Sequence, residues 1–384
     1  MEDSNHLSCA KSTDRRRFLA ATSAAGVAGI AGCTDFLGFG SRDDPYETYG
    51  PQETGINEEQ VTWDDLGELT GTLKVTTGRT QDQIDPVFEA LEEEYPDFTV
   101  ERDYSDEDAG ARNQITEAGE EAEADVFYTQ SSGSLSMIKE EGLAQELPED
   151  VEQAVEEQYR DDDGEWCGVS GRVRAIQYNT TEWDEEELPD DIWEYAEDDR
   201  FAEEISTRPN SGTFRSFIIA MLERKGEEET RDWINKMMED QNVHLHSSGS
   251  QQAESVDNDN ENTLALGNQY YAQRRIQQYG DDSDIDVTFT SGDAGSLFMV
   301  SGVVILEGAE TPNLAAEFIR HLLAVDGQEK FVEANGEYPV ITEFDDYPEG
   351  LPAPEELDPP EFDLNKLSDL QRAIDVLEDE DMTV

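Results

Sequence analysis

From Gly71 onward, apolar positions follow two alternating rhythms. Leu73 and Val75 fit a strand over 73–77, and Ile84, Val87, Phe88 and Leu91 recur at helical spacing over 83–95. The alternation continues with a strand over 98–100, a polar helix over 108–118, a buried strand over 124–128 and a helix over 134–141 ended by Gly142. Next come a long strand over 167–178, a helix carrying Phe217, Ile218, Met221 and Leu222, an amphipathic helix over 227–240, and a short strand over 263–266 before a helix over 272–279. An apolar strand over 298–306, helices over 313–323 and 326–335, a proline-rich acidic stretch and a closing helix over 364–378 complete the pattern. Strands alternating with helices predict an α/β fold of mixed, mostly parallel sheets flanked by helices. Ligands of such sheets sit beyond the carboxyl ends of the strands, here the loops after Val75 and Phe127.

Several polar positions stand out against that pattern. Tyr270 and Tyr271 are adjacent where the short strand gives way to a helix. A phenolate is a hard anionic oxygen donor suited to a hard trivalent cation, and metal binding displaces its proton. Neighbours on a regular helix point about 100° apart, but a strand-to-helix turn lets both hydroxyls converge; the plain alternative is one core and one surface tyrosine. Arg172 and Arg174 alternate onto one face of the long strand, either as partners of local carboxylates or as contacts to an anion. Ser211-Gly212 opens a helix and offers a hydroxyl and backbone N–H groups, for capping or for an anion. His244 and His246 alternate on a strand without a third His or Cys nearby, so no metal site is expected there.

Charge narrows the setting. The 384 residues carry a formal net charge of −67, from 93 acidic and 26 basic side chains, yet 36% are hydrophobic and the rhythms run through most of the length. This is a folded chain with an acidic surface, not an acidic disordered one. Molar salt shortens the Debye length to about 3 Å and screens the self-repulsion, so the composition resembles that of halophilic archaea. It excludes nucleic acid as a partner. Acidic runs such as Asp161-Asp162-Asp163 are expected to be solvated faces. Neither a Gly-x-Ser-x-Gly elbow nor a His-Glu-x-x-His pair is present, and no enzymatic role is expected.

The start of the chain reads as an address. Arg15-Arg16-Arg17-Phe18-Leu19 before a weakly apolar run resembles a twin-arginine export signal, and Ile30-Ala31-Gly32-Cys33 resembles a lipobox, with Cys33 as the lipidated residue. Residues 1–32 are expected to be the signal and 33–69 a flexible acidic tether. That leaves Cys167 without a disulfide partner unless Cys33 stays unmodified.

Six segments together resemble the ferric-iron-binding proteins of ABC importers, among the extracellular solute-binding proteins. They are Ala124 to Tyr128, Ser170-Gly171-Arg172-Val173-Arg174, Pro209-Asn210-Ser211-Gly212, Asn268-Gln269-Tyr270-Tyr271, Gly295-Ser296 with Ser301-Gly302, and Glu337-Tyr338-Pro339. The resemblance covers about residues 71–342. It implies a two-lobed periplasmic-binding-protein-like fold of type II, with lobe 1 at 70–171 and 292–342, lobe 2 at 172–291, a C-terminal wrap and helix at 343–384, and a ligand cleft at the hinge. It implies Fe³⁺ as transported ligand on Tyr270 and Tyr271, with carbonate or phosphate as synergistic anion near Ser211, Gly212, Asn268, Arg172, Arg174 and Ser250. Where one branch of the family adds a His and a Glu, this chain has Thr80 and Gln130, and where another adds a tyrosine it has Phe214. The implied partner is an ABC permease, for a monomer held by lipid to the outer face of the membrane. The alternative is the same fold carrying an anionic solute, such as a phosphate, phosphonate or sulfonate, or a polyamine.

Overall fold

The computed structural model describes residues 55–56 and 60–384, apart from 106–107, 260–261, 342–343, 345–346 and 349. The export signal, Cys33 and much of the tether lie outside the described residues.

The first half of the sheet is built from β1 (Gly71–Thr77), β2 (Phe98–Tyr104) and β3 (Val126–Thr129), linked by α1 (Gln81–Glu94) and α2 (Asp108–Ala118). β1 lies between β2 and β3 and runs parallel to both. After α3 (Ser132–Glu140) and α4 (Glu149–Ala154) the chain enters β4 (Cys167–Asn179), all of whose residues are buried. The second half holds β5 (Ile205–Thr207), α5 (Gly212–Lys225), α6 (Glu227–Glu239), β6 (His244–Leu245), α7 (Gly249–Glu254), β7 (Leu264–Asn268), α8 (Gln269–Tyr279) and β8 (Ile285–Thr288). β5 runs parallel to β6 and β7. The chain closes with β9 (Phe298–Ile305), α9 (Pro312–Leu323), α10 (Val325–Asn335) and α11 (Leu370–Asp379).

Two antiparallel strands join the halves. β9 pairs with β3 on one side and with Cys167 to Val173 of β4 on the other. From Arg174 onward β4 pairs with β7, and from Ile176 with β8 as well. One strand therefore changes partners between Val173 and Arg174, and both arginines sit at or beside that change. The mixed sheet with flanking helices is the α/β architecture that the alternation predicts.

The structure corrects several local expectations. β7 runs on to Asn268 and α8 starts at Gln269, so the tyrosines lie in the first helical turn and not before it. The Gln269 side chain makes this early start possible: its carbonyl accepts the Val173 N–H at 3.0 Å and its amide donates to the Gly336 carbonyl at 3.2 Å. Asp161 is buried rather than solvated, because it accepts Lys139 Nζ at 2.6 Å and the N–H groups of Asp163 and Glu165. The closing helix is broken: Leu364–Ser368 forms a 3₁₀ turn before α11. There the Leu367 carbonyl lies against Gly133 of α3, where a Cβ would come within 2.2 Å of it. α4, β5 and β8 carry too few residues to show a rhythm of their own.

His321, on α9, is fully buried; its Nδ1 lies 2.7 Å from the Glu317 carbonyl and its Nε2 3.2 Å from the Tyr95 hydroxyl. Burial lowers its pKa from 6.5 to about 4. A folded-state value below the unfolded one means the contribution is complete above pH 6.5 and is lost as pH falls toward 4. In molar salt, denaturant titrations are expected to show a loss of about 2 kcal/mol between neutrality and pH 5 from this group. His321→Gln should lack that component, and an unchanged acid slope in the variant would refute the assignment.

Candidate functional site

The tyrosines sit at the N-terminal end of α8, with Asn268 extended ahead of them. Their ring centroids are 4.3 Å apart and the planes tilt by 38°. Tyr270 is buried and Tyr271 half-buried. The guanidinium of Arg274, one turn later on α8, lies 5.4 Å from the Tyr270 ring centroid. Burial pushes the Tyr271 phenol well above its usual value, and the charge and hydrogen bond of Tyr270 add to the rise. Two phenols at successive helical positions are thus held side by side, which the 100° spacing alone does not suggest. Gly249 explains part of this. A Cβ there would meet the Tyr271 ring at 2.3 Å, so the ring rests on the bare backbone that opens α7.

Three buried arginines interact electrostatically with Tyr270: Arg79 after β1, and Arg172 and Arg174 on β4. Arg79 donates from Nη1 to Ser301 Oγ at 2.9 Å and to the Tyr128 hydroxyl at 3.1 Å, and from Nη2 to Glu337 Oε1 at 3.0 Å. Arg172 donates from Nη1 to the same Ser301 Oγ at 2.8 Å. Glu337 also accepts from Ser170 Oγ at 3.0 Å. Arg174 donates to the Leu266 carbonyl at 2.8 Å and lies over the rings of Phe214 and Phe217. Among the described residues, Arg172 and Arg174 form no ion pair with a carboxylate, although nearly four in five of the chain's charged side chains are acidic. Of the two readings left open for these arginines, pairing with local carboxylates is therefore not borne out for either among the described residues.

The electrostatics follow from burial. Desolvation opposes the Arg79 charge, but Glu337, Tyr128 and Tyr270 together outweigh it and carry the group above its usual value. Desolvation lowers Arg172, with Arg79 pushing the same way and Tyr270 and Glu337 opposing. Arg174 is lowered by burial to about 9, with Tyr270 as the opposing group, and remains a cation at neutral pH. All three cations lie within electrostatic reach of Tyr270. The Nε atoms of all three and Asn268 Oδ1 are buried without a hydrogen-bond partner. Such groups are costly unless something satisfies them.

The remaining positions named from sequence spread around this cluster. Ser211 precedes α5 and shares a 2.8 Å hydrogen bond with Thr213, whose hydroxyl accepts Asn268 Nδ2 at 3.3 Å. That chain ties the start of α5 to the start of α8. Gly212 is exposed with open space where a Cβ would stand, and Ser250 is exposed on α7 beside Gly249. Thr80 is the exposed residue preceding α1, and Gln130 is half-buried after β3. Phe214 is fully buried beneath Arg174. Sequence reasoning passed over Arg79, Tyr128 and Ser301 as site members; a cation directly after the first strand, in a chain so poor in cations, was the available signal. Cavities of about 490 Å³ between β2 and α2 and about 640 Å³ along α1 and α10 touch none of the cluster.

Comparison with known proteins gives a family and a set of relatives. The family model described as bacterial extracellular solute-binding protein matches residues 122–363. The major ferric iron-binding protein of Neisseria meningitidis is 28% identical over 234 residues, covering 59% of this chain and 69% of that one. The Fe(3+)-binding periplasmic protein of Serratia marcescens is 26% identical over 264 residues, covering 68% and 77%. The crystal structure of iron-bound HitA from Pseudomonas aeruginosa superposes with a TM-score of 0.74 at 26% identity, covering 80% of this chain and 99% of that one.

A Gly249→Ala substitution is expected to push Tyr271 off its seat at a cost of about 1–3 kcal/mol. Nitration by tetranitromethane, mapped by mass spectrometry, should then rise several-fold at Tyr271. Unchanged labelling would show that the ring does not depend on this glycine.

Proposed function

We propose that this chain, which belongs to the bacterial extracellular solute-binding protein family, captures ferric iron together with an anion and delivers it to an ABC permease. The relatives named above are binding proteins, which fits a role without turnover. The observation that carries the reading is a pair of phenol rings with centroids 4.3 Å apart, with two buried arginines, Arg172 and Arg174, in electrostatic reach of Tyr270 and without an ion-paired carboxylate among the described residues.

In this reading Tyr270 and Tyr271 supply the protein's oxygen donors as phenolates, and the ion displaces their protons. The two phenolates offset two of the ion's three charges, so a bound anion would have to offset the third and supply any negative charge set against Arg172 and Arg174. Thr80 and Gln130 bring no anionic donor, which leaves coordination positions to carbonate, phosphate or another small anion. Asn268 and the Ser211-Gly212 start of α5 are the groups placed to hold it, with Ser250 at the edge. Residues 70–171 with 292–342 form one lobe and 172–291 the other, and β4 and β9 are the strands about which they close. Export by the twin-arginine route and anchoring through Cys33 complete the reading, as does action as a monomer.

The alternative is an anionic solute on the same arginines, without metal. The two unpaired cations favour it over a polyamine, which would add positive charge to the same buried site.

Ferric titration in molar salt with carbonate or phosphate is expected to raise a visible tyrosinate-to-iron charge-transfer band. The double variant Tyr270→Phe/Tyr271→Phe should lose the band. Each single variant should lose more than about 100-fold in affinity, beyond the range typical of outer-shell changes. No band with any anion, alongside intact anion binding, would select the alternative.

A further inference from the structure

Two guanidiniums converge on one hydroxyl: Arg79 and Arg172 donate to Ser301 Oγ at 2.9 and 2.8 Å. Like charges this close, both almost fully buried, repel in a medium that screens poorly. One carboxylate serves the pair. Glu337 binds Arg79 at 3.0 Å, with 4% of its own side chain exposed. Its other oxygen accepts from Ser170 at 3.0 Å, so it has a fixed orientation.

The backbone holds that carboxylate in place. Gly336 adopts φ 62° to end α10, and its carbonyl accepts from Gln269, next to the tyrosines. Tyr338 pairs with Gly171 through two backbone bonds of 2.6 and 2.7 Å. Glu337 is therefore clamped between the start of α8 and β4. Its position is no accident of a mobile side chain.

We propose that Glu337 is a specificity-determining positioning residue: by forming its ion pair with Arg79 rather than with Arg172 or Arg174, it sets how much negative charge an anion must bring to the site. With Glu337 present, Arg172 and Arg174 remain as the uncompensated cations. Without it, Arg79 joins them, and polyanions gain more than less charged ligands. Without Arg79, the Glu337 carboxylate is left to offset Arg172, and polyanions lose most. The two substitutions thus push anion preference in opposite directions, although each breaks the same buried ion pair and each is expected to destabilise the fold. A purely structural role predicts the same direction for both.

The inference rests on the anion half of the proposed function and is tested without iron. Citrate and hydrogenphosphate are titrated calorimetrically into the protein at constant molar ionic strength and mildly alkaline pH, where they are a trianion and a dianion. Glu337→Gln is expected to raise the citrate-to-phosphate affinity ratio about tenfold, and Arg79→Gln to lower it by a similar factor. The double variant Arg79→Gln/Glu337→Gln should return it to near the starting value. If Glu337→Gln does not fold, the opposite shift in Arg79→Gln and its reversal in the double variant decide. Ratios that move the same way in both single variants, or not at all, overturn the inference, as does a native protein that binds neither anion. A missing ferric charge-transfer band would defeat the iron reading and leave these ratios standing.

Discussion

Burying more positive than negative charge at the point where β4 changes partners is the constraint on which this structure turns. Arg79, Arg172 and Arg174 are each 4% exposed or less, and Glu337 is the carboxylate paired with any of them among the described residues. Isolated buried charges are expensive, and packing alone does not repay them. The surrounding groups lessen the cost through Ser301, the Leu266 carbonyl and the faces of Phe214 and Phe217, but three Nε atoms stay unsatisfied. A site like this is most stable with an anion or a phenolate in it.

The same imbalance inverts the rest of the molecule. Outside the cluster the chain is overwhelmingly acidic, with net charge −67. Most other cations are engaged in ion pairs, such as Arg320 with Asp150 and Glu317, or Arg231 with Glu227, Asp379 and Glu380. Unpaired arginine in such a surrounding is therefore informative. An acidic exterior open to solvent ions and a cationic interior sealed from them are two separate electrostatic regimes, because low dielectric preserves inside what ions weaken outside.

Local rhythm made much of the fold legible. The polar helix over 108–118 has the bounds read from sequence, and β4, β9, α6 and α9 differ from theirs by a residue or so. Failures cluster where elements are short, as at β5, β8 and α4, or where a distant group decides. Asp161 looked solvated in an acidic run and is buried in a loop where Lys139 reaches it from α3. The closing helix looked continuous and is broken where Leu367 meets Gly133. In the site, the tyrosines, the β4 arginines and the Ser211–Gly212 turn were visible as residue types in telling places. Arg79 was passed over although its place directly after the first strand in a cation-poor chain was a signal, because that place does not show whether a turn arginine is buried.

The sequence by itself determined most of the longer elements, the α/β class, the acidic surface and the pair of adjacent tyrosines where a strand meets a helix, since each follows from side-chain chemistry within a few residues. Only the tertiary structure decided which cations stay unpaired. Arg79, Ser301 and Glu337 are separated by 222 and 36 residues along the chain and meet through strand pairing and the Gly336–Tyr338 clamp. Tyr271 sits beside Tyr270 because Gly249, in a different helix, leaves room for its ring. Electrostatic pairing and steric allowance depend on distance through space, and no spacing along the chain encodes that.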